Sequence, residues 1–429
     1  MCFAFDIVAA NLMLADFVCN VGCSIGYAQK VVCYQILVLI WMKYFFVIRK
    51  GANSHGQLAI GSTEDKATPT RVPISLKPDL FAGGGTFSVF VENSAIWAAG
   101  QLQPREELEQ QTTFRMVGKV DEGIKALSCG WDFFIVLSNS GKLYFRGRNR
   151  PGFAFDNSTP SWVGALSPIV FDIVETRHIA AGLHHVVAVS STDKVYEWKG
   201  GKVREVVAEN SGKIVGCVAG GQHSVLWTDD GCVGVWGDMR FGQGGPVADE
   251  AKGLCRKTDR VRWIPSSFFL NKGIVDVQSG WSHILVLTET GKVFSWGRCD
   301  FGQLGRTVNA VATASIAWPQ SGRIFDPTPH PVALPTSSVR LISAGAEHCL
   351  AVVGENEVWM WGWNEHGNCG TALTVEAAPV VVEGDAPSSV FSEREDWCVA
   401  LPRLVSFVGK GNVLLAAASY GYSMALTDA

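Results

Sequence analysis

The chain has 429 residues, a formal net charge of −4, 47% hydrophobic residues and only 18% charged residues. This apolar content excludes an intrinsically disordered chain. The small negative charge lacks the excess of basic residues that is typical of proteins that bind nucleic acid, so no nucleic-acid partner is expected. The 46 glycines and 15 tryptophans favour many short buried strands that are joined by tight turns.

The first 50 residues differ in composition from the rest of the chain. Thirty-seven of them are apolar, and the segment 31–48 contains one charged residue, Lys43. Its 18 residues reach the length of a transmembrane candidate, and Arg49 and Lys50 would hold its C-terminal side in the cytoplasm. The alternatives are a buried strand at the end of the segment or an incorrectly predicted first exon, which the abrupt change at Lys50-Gly51 favours. A membrane partner is therefore expected only if 31–48 is a genuine anchor.

A repeated unit occupies the remainder, with two marker glycines 17 residues apart and a third glycine five residues further on. One unit runs from Gly280-Trp-Ser-His283 through Gly297 to Gly302. The four units with this spacing have the marker pairs Gly130 and Gly147, Gly220 and Gly237, Gly280 and Gly297, and Gly345 and Gly362. Two weaker copies and two complementary half copies begin at Gly84, Gly182, Gly51 and Ser419. Six whole units and two halves predict seven repeats.

Each unit has the pattern of a small antiparallel sheet. Segments such as HILVL and VFSW alternate as half-buried strands do, and connectors such as TETGK place glycine late in the loop. One hairpin cannot bury its own faces, so neighbouring units must stack. We expect an all-β, seven-bladed β-propeller, closed by pairing of the last strand, near 423–426, with the strand near 45–48.

The predicted domains are an apolar N-terminal leader, 1–50, whose end is a closing strand, and a seven-bladed propeller, 51–429. Three stretches exceed a minimal blade, at about 245–275, 306–340 and 371–410. Long loops on a rigid scaffold are where binding function tends to lie.

The pattern G-x-x-H…W-G-x-N-x-x-G-Q-L-G resembles the regulator of chromosome condensation repeat, and the best matches are 280–305, 345–370 and 51–61. Stretches 129–137, 279–306 and 361–370 are similar to a branch of that family that regulates secretion. The resemblance implies a seven-bladed propeller that regulates a small GTPase by guanine nucleotide exchange, acts as a monomer and lies in the cytoplasm and also the nucleus. A family exchange factor uses a hairpin wedge, for which no matching segment is recognisable here.

No motif for covalent catalysis is present, so we expect no enzyme in that sense and no cofactor or metal. The sequence has neither a phosphate-binding G-x-x-x-x-G-K-[ST] loop nor a nucleophile elbow. Four histidines share one repeat position, which Phe or Tyr fills in other units, so packing and hydrogen bonding explain them better than metal binding. These are His185, His223, His283 and His348. The twelve cysteines form no C-x-x-C pair and are expected to be free thiols.

Several polar and aromatic residues fall outside the repeat pattern and are candidates for partner binding. Tryptophan beside acidic or polar residues suits a protein-recognition patch, because tryptophan is enriched at binding hot spots. The alternative is that each tryptophan packs between blades. The candidates are Trp131, Asp132, Trp281, Ser282, Glu347, Trp363, Asn364, Glu365 and His366.

Four function classes remain open. The first is guanine nucleotide exchange on a small GTPase. The second is a non-catalytic adaptor for secretory, exocyst-type complexes, because one fold hosts many functions. The third is a chromatin-associated regulator, which would require a basic N-terminal tail, whereas the N-terminal segment here is apolar. The fourth is a ubiquitin ligase, which would require a large catalytic domain for which no residues remain.

Overall fold

Every repeat unit forms one four-stranded antiparallel sheet, and seven such sheets are present in the described residues. The computed structural model describes residues 45–72, 77–102, 111–153, 162–169, 175–210, 212–246, 256–308, 325–370, 397–405 and 411–428. These seven sheets are the blades of a propeller, which confirms the predicted fold class.

We number the blades in chain order, with the blade that unites the two ends as blade 7. Blade 1 contains β3 (Leu80–Gly83), β4 (Phe87–Glu92), β5 (Ala95–Gly100) and β6 (Gln111–Lys119). Blade 2 contains β7 (Ile124–Cys129), β8 (Phe133–Ser138), β9 (Leu143–Arg148) and β10 (Trp162–Pro168). Blade 3 contains β11 (Thr176–Ala181), β12 (His185–Ser190), β13 (Val195–Lys199) and β14 (Lys202–Val206).

The remaining blades follow the same order from the innermost strand outward. Blade 4 contains β15 (Ile214–Ala219), β16 (His223–Thr228), β17 (Val233–Asp238) and β18 (Lys257–Ile264). Blade 5 contains β19 (Ile274–Ser279), β20 (His283–Thr288), β21 (Val293–Arg298) and β22 (Phe325–Pro331). Blade 6 contains β23 (Val339–Ala344), β24 (His348–Val353), β25 (Glu357–Trp363) and β26 (Cys398–Val405). Blade 7 contains β27 (Val413–Ala418), β28 (Tyr422–Asp428), β1 (Phe45–Gly51) and β2 (Lys66–Arg71), and a 3₁₀ helix, Ser266–Phe269, precedes blade 5.

The core lies between successive blades. Every residue of the second strands β8, β12, β16, β20 and β24 is buried, because these strands have neighbours on both faces. The second marker glycine of blade 5, Gly297, has φ 108° and lies against the backbone of Ser282, where any side chain would collide. The glycine spacing therefore reflects a backbone requirement of each blade.

The ring closes where the two ends of the chain meet. β1 pairs antiparallel with β28 over seven residues, from Phe45 opposite Asp428 to Gly51 opposite Tyr422. This register confirms the predicted closure and leaves no open sheet edge at the join. Residues 45–48 of the membrane-anchor candidate thus lie in a propeller strand, and the rest of that candidate lies outside the described residues. Among the residues that the structure describes, no helix is both long and apolar enough to span a bilayer.

Because neighbouring strands in each blade are antiparallel, the connections between strands leave the sheet at one or other of the two ends of the propeller. The turns between first and second strands lie at the same end as the connections between third and fourth strands. We call this end the loop face; in blade 5 it contains 280–282 and 299–308. The opposite end, the hairpin face, carries second-to-third-strand hairpins such as 289–292 and the links between blades, such as 265–273. Of the predicted long loops, 247–255, 309–324 and 371–396 lie outside the described residues.

The repeat-position histidines connect each blade to the next. Their Nε2 atoms lie close to a side chain of the following blade, and burial lowers the pKa of all four imidazoles to about 3. The contacts are His185 with Ser224 (3.0 Å), His223 with Ser279 (2.9 Å), His283 with Cys349 (3.0 Å) and His348 with Ser423 (3.0 Å). These neutral, buried rings pack between blades as the sequence predicted.

Substitution of His283 tests this packing role. Phenylalanine occupies the same position in blades 1 and 2, as Phe87 and Phe133. We therefore expect His283→Phe to lower the free energy of unfolding by about 1 kcal/mol, and His283→Ala, which leaves a cavity, by about 3 kcal/mol. Urea unfolding of the two variants measures both values. Equal losses would contradict a role in packing.

Candidate functional site

All nine candidate partner-binding residues lie at the loop face. Trp131 and Asp132 follow β7, and Trp281 and Ser282 follow β19. Glu347 lies in the equivalent turn of blade 6. Trp363 is the last residue of β25, and residues 364–366 begin the connection that follows it. The structure therefore places them at one end of the propeller, in four groups with different surroundings.

An aromatic trio forms the first group. The rings of Trp131 and Trp281 lie with their centroids 6.1 Å apart, and Tyr420 lies 5.2 Å from Trp131 and 6.0 Å from Trp281. All three side chains are half-buried. Tyr420 was missed by sequence reasoning, although it follows Ser419 at the repeat position that the two tryptophans occupy. The tryptophans thus pack on each other and on Tyr420 near the propeller axis, and the Trp131 ring also lies against Gly85 of blade 1.

A central cavity adjoins this trio. The innermost strands of the seven blades surround a volume of about 440 Å³, whose lining includes Trp281 and Tyr420. Asp276 also lines it, and Gln278 Nε2 donates a hydrogen bond to its carboxylate at 2.9 Å. Burial raises the pKa of Asp276 to about 6. The described residues contain no group of three or more His, Cys, Asp or Glu side chains arranged to hold a metal ion.

The Glu347 side chain is buried and hydrogen-bonded to the neighbouring blade rather than exposed to solvent. Its side chain is 7% exposed, and both carboxylate oxygens accept hydrogen bonds from blade 5. Arg298 Nη1 donates to Oε1 at 2.6 Å, and Gln303 Nε2 donates to Oε2 at 2.7 Å. Arg298 also binds Asp300 through two further nitrogens, at 2.6 and 2.8 Å. This network fastens blade 5 to blade 6, and the carboxylate is directed into the protein.

Asp132 and Ser282 occupy equivalent turns and share one backbone contact, since the Asp132 carbonyl accepts a hydrogen bond from the Arg148 amide at 2.9 Å. The Asp132 carboxylate is 16% exposed and lies 3.2 Å from Arg150 Nε and 3.7 Å from Arg148 Nε. The backbone carbonyl of Ser282 accepts a hydrogen bond from the Arg298 amide at 2.9 Å. Both residues are half-buried, so each presents only part of its surface to a partner.

The connection of blade 6 forms the most accessible group. The Trp363 and His366 rings meet edge to face with centroids 5.2 Å apart, and His366 Nδ1 lies 2.8 Å from Asp65 Oδ2 of blade 7. Glu365 is exposed. The Asn364 amide donates to the carbonyl of Trp397 at 2.7 Å, and the Trp397 side chain is 55% exposed. Sequence reasoning missed Trp397, although an aromatic residue outside the repeat pattern was a usable signal.

Comparison with known proteins identifies the family. The RCC1-like domain family matches residues 51–399. The chain belongs to this family. The secretion-regulating guanine nucleotide exchange factor of Bos taurus is 31% identical over 378 residues, which cover 78% of each chain. The Mus musculus protein of that name is 30% identical and covers 79% of this chain and 78% of its own. The resemblance inferred from the repeats is thereby confirmed.

The solved structures agree in fold. Prp20p from Saccharomyces cerevisiae, whose crystal structure was described with its binding to Gsp1p and histones, has a TM-score of 0.70 and 16% sequence identity. The likeness covers 90% of this chain and 92% of Prp20p. At 16% identity this likeness shows the propeller fold alone.

Proposed function

We propose that this protein binds a small GTPase through its loop face and accelerates the release of GDP, in secretion and in the cytoplasm. The observation that carries the proposal is the 30–31% identity, over 78–79% of this chain, to relatives named secretion-regulating guanine nucleotide exchange factors. The loop face supports it further, because it holds every connection between third and fourth strands. Such connections on a rigid scaffold commonly carry binding function.

Exchange requires no covalent chemistry from the propeller. A factor that binds the nucleotide-free GTPase more tightly than the GDP-bound form weakens GDP binding by the same ratio. Protein contacts therefore suffice. Trp397, with its exposed ring, is a suitable anchor, because aromatic residues dominate interface energetics. Glu365 lies near it, since a backbone hydrogen bond joins Asn364 to Trp397.

A nucleotide-release assay tests the proposal. The full chain is mixed with a panel of small GTPases loaded with fluorescent GDP, and the decay of fluorescence is followed. We expect faster release from at least one GTPase. The double variant Trp397→Ala, Glu365→Lys is expected to lose about tenfold or more of that acceleration, as truncation of a hot spot does.

The control is Glu289→Lys, which reverses an exposed carboxylate on the hairpin face. It should match the wild type. Stable binding to a GTPase without faster release would contradict exchange and support the adaptor hypothesis. Equal losses in the control and the double variant would contradict binding through the loop face.

A further inference from the structure

The loop face of blades 2 and 3 carries a cluster of exposed basic side chains. Arg148 is the last residue of β9 and Arg150 follows that strand, and Lys199 and Lys202 flank the turn between β13 and β14. All four are exposed. We call these four residues the basic cluster. None of them was singled out as a candidate from the sequence.

The two halves of the basic cluster belong to one surface. The Gly201 amide donates a hydrogen bond to the Pro151 carbonyl at 3.0 Å, which joins the connection of blade 3 to that of blade 2. A side chain at Gly152 would collide with the Gly201 backbone, so the two connections are in close contact. The two connections therefore touch, although Lys199 and Lys202 share the sheet face of Glu197 and Arg204, which is turned towards blade 4. The four cations are thus distributed along the loop face of blades 2 and 3.

The turn between Lys199 and Lys202 is unusually short for this fold. Its two residues, Gly200 and Gly201, have φ of 58° and 76°, as a tight hairpin requires. In the other six blades this connection has between ten and 34 residues. Blade 3 thus presents the ends of its third and fourth strands with only a two-residue connection between them.

The pairing of the two lysines has no structural benefit of its own. Lys199 and Lys202 lie directly opposite each other in the β13–β14 ladder. Like charges in this arrangement destabilise a sheet. In the described part of the chain neither lysine forms an ion pair, and the arginines share one carboxylate, Asp132, which is 16% exposed. The cluster therefore presents an excess of positive charge to solvent.

The surrounding charges favour a short partner over an extended polyanion. On blade 7 the loop face carries Glu64, 77% exposed, and Asp65, 41% exposed, and Glu365 is exposed on blade 6. A flat anionic membrane or a long nucleic acid would meet these carboxylates as well, and the chain has a net charge of −4. A peptide segment can contact blades 2 and 3 alone. Val203, 43% exposed, lies on the opposite face of β14 from Lys202, the face turned towards blade 2, where it adds an apolar contact near the blade 2 connection.

We propose that the basic cluster binds an acidic peptide segment of a partner protein, with an aliphatic side chain of that segment against Val203. This site is separate from the blade 6 connection to which exchange is assigned, and it does not depend on exchange activity. Its attraction should be strongest at low ionic strength, because exposed charges are screened by salt.

Fluorescence anisotropy tests the proposal with the full chain and a fluorescein-labelled polyglutamate peptide that contains one leucine. We expect saturable binding that weakens as sodium chloride is added. Lys199→Glu with Lys202→Glu should weaken binding by about tenfold or more, since opposite-charge contacts become repulsive. Arg148→Gln with Arg150→Gln should weaken it by a smaller factor and serves as a second, independent test.

The matched control is Lys272→Glu with Lys292→Glu, which makes the same charge change on the hairpin face of blade 5. Retained binding in this variant supports the proposal, and an equal loss overturns it. Absence of peptide binding to the wild type, or tighter binding of phosphatidylserine vesicles or single-stranded DNA than of the peptide, also overturns it. Nucleotide release by the lysine variant is expected to stay at the wild-type rate for an isolated GTPase, which separates this site from the exchange proposal.

Discussion

Replacing Lys50 with tryptophan is expected to raise the free energy of unfolding by about 3–4 kcal/mol at neutral pH, because it removes a buried amine. Lys50 is fully buried in β1, the third strand of blade 7. Trp296 and Trp361 occupy the same position in blades 5 and 6 and are equally buried. Lys50 thus occupies the repeat position at which blades 5 and 6 have a buried tryptophan ring.

The geometry of the neighbouring blades shows how the indole would fit. Trp296 Nε1 donates to the Gln243 carbonyl, and Trp361 Nε1 donates to the Gln303 carbonyl, both at 2.8 Å. In each case the acceptor belongs to the connection of the preceding blade. The equivalent residue before blade 7 is Asn368, whose carbonyl already accepts from Ser423 Oγ at 3.2 Å. A carbonyl oxygen has two lone pairs, so the new indole can share it.

The effect has a defined pH dependence. Burial lowers the pKa of Lys50 from 10.5 to about 7 in the folded protein. Between these two values the unfolded chain holds a proton that the folded chain lacks, so the stability of the wild type rises with pH across this window. The tryptophan variant lacks this contribution. Its advantage should be largest at pH 7 and below and should vanish as the pH approaches 10.5.

Chemical denaturation of the wild type and of Lys50→Trp at several pH values measures this difference. Lys50→Met is a second variant of similar size without a charge, and it should keep most of the gain. Lys292→Trp, at an exposed lysine of the hairpin face, is the control and should leave stability almost unchanged. An advantage of Lys50→Trp that does not diminish between pH 7 and 10 would contradict the burial of a titrating amine.

The fold was predictable because its determinants are local and repeated. A glycine such as Gly297, with φ 108° and no room for a side chain, recurs at a fixed distance from the turn that precedes the second strand. Counting these positions was enough to predict seven blades. The pairing of β1 with β28 was predictable because half a unit was missing at each end of the repeat.

The candidate site was less predictable because its contacts join distant blades. Trp131 and Trp281 are 150 residues apart in sequence, and only closure of the ring brings their centroids to 6.1 Å. The sequence suggested that Lys50 is a charge flanking an apolar segment. In the structure it is buried in blade 7, at the position that tryptophan occupies in blades 5 and 6. A charged residue in a turn is usually exposed, and the partner that buries Glu347 comes from blade 5. Such pairings depend on blade-to-blade geometry that local patterns do not contain.

Replacing Glu347 with alanine is expected to lower the free energy of unfolding by about 3 kcal/mol, because it leaves a buried cation and a buried amide without their acceptor. Arg298 and Glu347 have side chains that are only 12% and 7% exposed. Arg298 keeps its bonds to Asp300, which limits the loss. Gln303 Nε2 loses the carboxylate oxygen to which it donates at 2.7 Å.

Glu347→Gln separates the structural role from a role in partner binding. The amide oxygen can still accept one hydrogen bond, so the expected loss of stability is smaller, about 1–2 kcal/mol. Guanidinium chloride unfolding measures both variants, and Glu365→Gln, an exposed carboxylate on the same face, is the control for charge removal.

The partner assay then decides between the two roles. If Glu347 fastens blade 5 to blade 6, the glutamine variant should bind a GTPase, or any other loop-face partner, almost as the wild type does while it unfolds more easily. A variant with unchanged stability and weakened partner binding would reverse the assignment and make Glu347 a contact residue. Because both oxygens are occupied by Arg298 and Gln303, we expect the loss to be in stability.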